Sequence, residues 1–121
     1  MRTTPFVLLL LLGACGGAPP ATLSKIESDI FAKSCAQTSC HKGASSAGNL
    51  NLEGKTHAKL VNVNATVQGE VLVVPGKPES SWLMKKLQPT GAISLMPPGE
   101  ALDGARLEMV RSWIAAGAKD D

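Results

Sequence analysis

Two thiols and an imidazole stand within one short stretch, Cys35-Ala36-Gln37-Thr38-Ser39-Cys40-His41. A cysteine pair whose second member is followed at once by histidine suits covalent attachment of a c-type haem. Both thiols add to vinyl groups on one porphyrin edge, and the adjacent imidazole turns under the ring to ligate iron. The commonest spacing has two residues between the cysteines, whereas this chain has four. The same donors could instead form a disulfide, a zinc site or a redox-active pair. Zinc needs a fourth donor such as His57, and adjacent Cys40 and His41 reach one ion awkwardly. A redox pair favours Cys-x-x-Cys beside a βαβ pattern, and neither is present. The disulfide between Cys35 and Cys40 stays open.

Iron held by His41 leaves the opposite axial position for a thioether or a second imidazole. The candidates are Met84, Met96, Met109 and His57. Met96 is singled out because it sits in a loop, Leu95-Met96-Pro97-Pro98-Gly99, whose two prolines restrict the backbone and lower the entropy cost of holding one shape. Met84 and Met109 fall in predicted helices, where methionine usually fills core. His57, in a short helix that also carries Lys59, reads as a solvated side chain. No nucleophile and base pair or carboxylate dyad can be picked out, so the sequence argues for no enzyme.

The elements that must position these residues are helical. Ser24 as cap with Glu27 three residues on predicts a helix running into Cys35, with Ile26, Ile30 and Phe31 on its buried face. Residues 42–55 are rich in Gly, Ala and Ser and read as coil pinned by Leu50 and Leu52. Residues 56–61 predict a short helix capped by Thr56, and residues 71–74 an extended apolar segment closed by Pro75-Gly76. Pro78 predicts the start of a helix with Trp82, Leu83 and Leu87 inward and Met84 at its flank. The last helix has the clearest ends: Asp103 as N-cap, Leu102 and Leu107 as a staple, a stripe of Leu107, Val110, Trp113 and Ile114, and Gly117 as the stop. The expected fold class is therefore all-α, three to four helices with loops long enough to wrap a large internal group.

At the front, Arg2 precedes an apolar run from Phe6 to Leu12, far short of the roughly 18 residues a spanning helix needs and suited to a signal-peptide core. Leu12-Gly13-Ala14-Cys15 resembles a bacterial lipobox, in which the cysteine is lipidated and becomes the new N-terminus. The expected organisation is a lipoprotein signal peptide at 1–14, lipidated Cys15 and a tether over 15–22, and one domain over 23–121. The chain has 12 Lys and Arg against 10 Asp and Glu, and one of the 12, Arg2, leaves with the leader. A nearly neutral domain argues against nucleic acid as a partner and leaves the lipid on Cys15 as the membrane contact. The expected location is a bacterial membrane, facing the periplasm or the cell exterior. Beyond Phe31, Trp82 and Trp113 this domain has no aromatic residue, a thin core that a buried porphyrin would fill.

Ile30-Phe31 leading to Cys35, Cys40-His41, Val73-Val74-Pro75-Gly76 with Pro78 and a Ser-Trp-Leu helix, Leu95-Met96-Pro97-Pro98-Gly99 and Trp113-Ile114-Ala115-Ala116-Gly117-Ala118 together resemble the small cytochrome c domains of exported bacterial proteins. The resemblance runs over most of 26–118. It implies covalent haem c on Cys35 and Cys40, His41 as proximal and Met96 as distal ligand, and a last helix packed across the first. The four-residue spacer departs from the family's commonest form. The functional expectation is a monomeric, membrane-anchored electron carrier with one haem, serving redox partner proteins. Its rival is a haem-free lipoprotein interaction module with a Cys35 to Cys40 disulfide.

Overall fold

The computed structural model describes residues 18–121. The expected signal peptide and Cys15 lie outside the described residues. Helix α1 begins over Leu23–Ile26, with Leu23 and Ile26 buried. Its cap is Thr22 and not Ser24: the Thr22 hydroxyl accepts from the Lys25 N–H at 3.2 Å. Ser24 lies inside the first turn, where its hydroxyl donates to the Asp121 main-chain oxygen at 2.6 Å. The Leu23 and Ser24 N–H groups also donate to Asp121, to its Oδ1 and main-chain oxygen, both at 2.9 Å. A distant acceptor thus satisfies orphan donors that the local pattern assigned to a capping box. Glu27, released from that role, accepts from the N–H and hydroxyl of Thr56 at 2.7 and 2.9 Å and joins α1 to the next helix.

From Glu27 to Cys35, α1 continues as a π-helix, closed by the Ala36 N–H on the Phe31 carbonyl at 2.7 Å. Ile30 and Cys35 stand five residues apart, which places them about 140° apart around an α-helix. In a helix bonded from i to i+5 they become neighbours. The wider winding therefore returns Cys35 to the side of Ile30 and Phe31, both buried, and it packs half-buried against that core. The α-helix expected to run into Cys35 is corrected in winding, not in position.

Helix α2 covers His57–Leu60, α3 Trp82–Leu87 and α4 Gly104–Ala115. Asp103 caps α4 as expected, its Oδ1 accepting from the Arg106 N–H at 2.9 Å. Val110, Trp113 and Ile114 are buried in one cluster with Ile26, Ile30 and Phe31, and α4 packs on α1. Gly117, at φ +107°, ends the helix in a conformation that costs a glycine little, and Ala118 returns its N–H to the Trp113 carbonyl at 2.9 Å. The Trp113 indole N–H donates to the Lys119 carbonyl at 2.8 Å, so its large buried ring carries no unsatisfied donor.

Between α2 and α3 the chain is extended. Isolated bridges join Val61 to Val73, Asn64 to Val71 and Val71 to Ser81, without building a sheet among the described residues. Pro78 opens only a 3₁₀ turn, Pro78–Ser80, and α3 starts afresh at Trp82. The break lies at Ser81, held extended because its fully buried hydroxyl bonds to the Val74 N–H and the Lys77 carbonyl, both at 2.9 Å. This rotates α3 from its expected face: Met84 and Leu87 enter the core, and Trp82 and Leu83 remain half-buried. Thr56 precedes α2 without capping it through its side chain, its hydroxyl being committed to Glu27.

Candidate functional site

The spacer between the cysteines folds into a compact turn on the end of α1. The Cys35 carbonyl accepts from both the Gln37 N–H at 2.9 Å and the His41 N–H at 3.1 Å, while the Cys40 N–H donates to the Gln37 carbonyl at 2.9 Å. The Gln37 side-chain amide donates to the carbonyls of Ala32 and Lys33 at 3.4 and 3.2 Å, occupying carbonyls the helix end leaves open. Four residues are thus enough to close the loop and bring the backbone of His41 against that of Cys35. Neither thiol is bonded to another cysteine. Burial, with Cys40 nearby as the lesser cause, pushes the Cys35 thiol up to about 11, so it stays protonated near neutral pH.

The 42–55 coil is laced onto this turn. The Ala47 N–H donates to the Cys40 carbonyl at 2.7 Å and the Leu52 N–H to the His41 carbonyl at 2.8 Å. One short 3₁₀ turn, Ala47–Asn49, is the regular structure the sequence did not announce there. Leu52 is buried and Leu50 packs half-buried on the core, the two pins expected of them. The lacing also places the Leu50 carbonyl 3.1 Å from Nδ1 of His41. A carbonyl oxygen can only accept, so the neutral ring carries its proton on Nδ1 and keeps the Nε2 lone pair available. A main-chain partner on one ring nitrogen is what orients and polarises a metal-binding histidine through the other.

Cys35, His41 and Met96 border one cavity of about 780 Å³. Its walls are mostly apolar: Leu50 and Leu52 from the laced coil, Leu60 from α2, Val63 and Leu72 from the extended segments, and Leu83 from α3. That volume is within the range of about 300–1,000 Å³ usual for cofactor and ligand sites. Met96 is tied in by its N–H, which donates to the Lys86 carbonyl at 2.8 Å. The other candidates for the second axial position are elsewhere. Met84 is 3% exposed in the core, Met109 packs beside it, and neither lines the cavity. His57 is not a solvated side chain: it is half-buried, with Nε2 2.9 Å from the Ala118 carbonyl, a bond that holds α2 to the end of α4. Cys40, next to His41, does not itself line the cavity. Among the described residues no group of three or more His, Cys, Asp or Glu is gathered that could hold a metal ion.

A flat apolar group with two reactive vinyl positions and a metal needing axial donors matches what these residues offer. The cavity is apolar, thiol and imidazole lie on its border, the imidazole is in the right tautomer, and a thioether lines the same space. The sequence pointed to Cys35, His41 and Met96 but not to Gln37, whose amide closes the helix end, nor to the Leu50 carbonyl, which has no side-chain signal. Trp82 and Leu83 read as core and prove to be wall. Residues 38–100, just over half of the chain, match the family model described as Planctomycete cytochrome C. The matched span contains Cys40, His41 and Met96 and begins after Cys35. No curated protein and no solved structure matches the chain.

Proposed function

The chain belongs to the planctomycete cytochrome c family, and on that premise we propose that it is a one-electron carrier with a single covalent haem c. The observation that carries this reading is the shared cavity of Cys35, His41 and Met96, with His41 Nδ1 already committed to the Leu50 carbonyl. When bound, the haem supplies an iron centre that cycles between ferric and ferrous states. Cys35 and Cys40 would hold the group through their two thiols, sulfur and hydrogen adding across each vinyl group with no net change of redox state. His41 would offer Nε2 to the iron, with the Leu50 carbonyl at Nδ1 holding the imidazole against rotation. Met96, which lines the same cavity, would offer its thioether to the metal, which would keep small molecules from it and raise its potential. Leu50, Leu60, Leu72 and Leu83, which line the cavity, would exclude water from the bound group and favour its less charged ferrous state.

Anchoring belongs to the same proposal. The lipobox resemblance at residues 12–15 and the cysteine left over once Cys35 and Cys40 are committed both support a lipid on Cys15, on the exported side of a bacterial membrane. Among the described residues no helix is long and apolar enough to cross a membrane. Cys15→Ala should move the protein to the soluble fraction; a variant held as firmly as the parent places the anchor elsewhere.

Attachment is tested by the mass of the mature chain, produced with a c-type maturation system, denatured and extracted with acid–acetone. Retention of one haem supports the carrier. A bare polypeptide two hydrogens lighter than its reduced form establishes a Cys35 to Cys40 disulfide and rejects it, because sulfurs about 2 Å apart leave no thiol for a vinyl group.

A further inference from the structure

The cavity has a charge pattern that neither its apolar character nor the ligand set explains. Apart from His41, the charged residues on its lining are Lys59 and Lys86, and no Asp or Glu lines it. The chain as a whole is nearly balanced, with 12 Lys and Arg against 10 Asp and Glu, whereas this lining carries cations alone. Each lysine stands one residue before a leucine of the same wall, Lys59 before Leu60 on α2 and Lys86 before Leu87 on α3. Apolar wall and cation therefore arrive together from two different helices.

Both ammonium groups rest on neutral oxygens. Lys59 Nζ donates to the Glu53 carbonyl at 2.8 Å, and Lys86 Nζ donates to the Ser94 hydroxyl at 2.7 Å and lies 6.0 Å from the Trp82 ring centroid. Neither has a carboxylate partner among the described residues. A charge-assisted bond to a carboxylate is roughly twice as strong as one to a neutral acceptor, so both lysines can exchange their present partners for an anion at a gain.

Haem carries two propionate carboxylates on an otherwise apolar ring. A carboxylate drawn against leucine walls is costly unless a cation meets it. We infer that Lys59 and Lys86 are the cation pair that receives the two haem propionates and so sets how the ring is turned within the cavity. This rests on the haem reading above and adds to it which part of the ring faces α2 and α3: the propionate side lies toward the two lysines and the vinyl side toward Cys35.

The test uses the matured chain carrying haem labelled with carbon-13 only at the propionate carboxylates, by feeding carboxyl-labelled aminolevulinate, and reads their infrared stretching bands. Lys59→Gln and Lys86→Gln should each shift labelled bands, and the double variant should shift both propionates. Lys59→Arg and Lys86→Arg should stay close to the parent, because the cation is kept. Lys42→Gln and Lys77→Gln, whose side chains do not line the cavity, should leave the bands in place. Unchanged bands in the double glutamine variant, with one haem mass still attached, would overturn this inference and leave the electron-carrier reading standing. A parent chain that retains no haem removes both.

Discussion

Where α1 packs on α4, Ile26, Ile30, Val110 and Ile114 have no exposed surface at all, and Phe31 and Trp113 retain 1%. Between His41 and Met96 the same kinds of side chain, Leu50, Leu72, Val63 and Leu83, stand around about 780 Å³ of space. The two regions do not differ in apolar supply. They differ in what holds the backbone. The first is two helices free to close until their faces interlock at crystal-like density. The second is a set of short elements spaced by main-chain bonds, such as Leu52 to His41, Trp82 to Val71 and Met96 to Lys86, which keep the walls apart. In the second region the walls are joined by main-chain lacing between loops and not by interlocked helix faces. The packed end makes the fold, and the laced end makes room for a guest.

That contrast can be broken most completely at the attachment point. Cys35→Ser with Cys40→Ser should abolish covalent haem, read as loss of the haem mass from the denatured chain, while the α1 and α4 helices persist in far-ultraviolet circular dichroism. At the packed end, Trp113→Ala should cost about 3–5 kcal/mol of unfolding free energy in denaturant titration, the usual range for a fully buried large aromatic. If that loss were below about 1 kcal/mol, α4 would not be the structural partner of α1 described above.

The two methionines sharpen the comparison, since one belongs to each region. Met84→Ala should cost about 2–5 kcal/mol without changing the visible spectrum. Met96→Ala should cost far less stability, yet abolish the iron–sulfur absorption in the red, lower the midpoint potential and open the iron to carbon monoxide. The reverse pattern would make Met84 the ligand. The smallest expected effect is at Asp103, where alanine removes the cap on α4 and should cost about 1 kcal/mol without altering haem content.

Of the candidate site, His41 and Met96 were picked out by local signals, a histidine directly after cysteine and a methionine before two prolines, and the structure brings both to one cavity. Of the fold, α4 was legible from end to end, since Asp103, the Val110, Trp113 and Ile114 stripe, and Gly117 act over one to four residues, the range over which a helix forms its own bonds. Where the reading failed, the deciding partner was remote. Ser24 looked like a cap until Asp121, 97 residues away, took up its hydroxyl. Glu27 looked like half of a capping box until Thr56 did the same to it. His57 looked solvated because Ala118, which takes its ring nitrogen, is 61 positions further on.

By itself the sequence determined the chemistry available to this protein: two thiols, an imidazole beside one of them, a thioether in a stiffened loop, and helices with readable ends. Only the tertiary structure decided that α1 winds wide enough to turn Cys35 back to the core side, and that Leu50 presents its carbonyl to Nδ1 of His41. It also decided that Ser81 turns α3 so that Met84 is packed and Trp82 faces the cavity. The reason is one of range. A side chain's identity and its near neighbours are written along the chain, but a cavity is bounded by residues from 35 to 96, and the space between them exists only once all of them are in place.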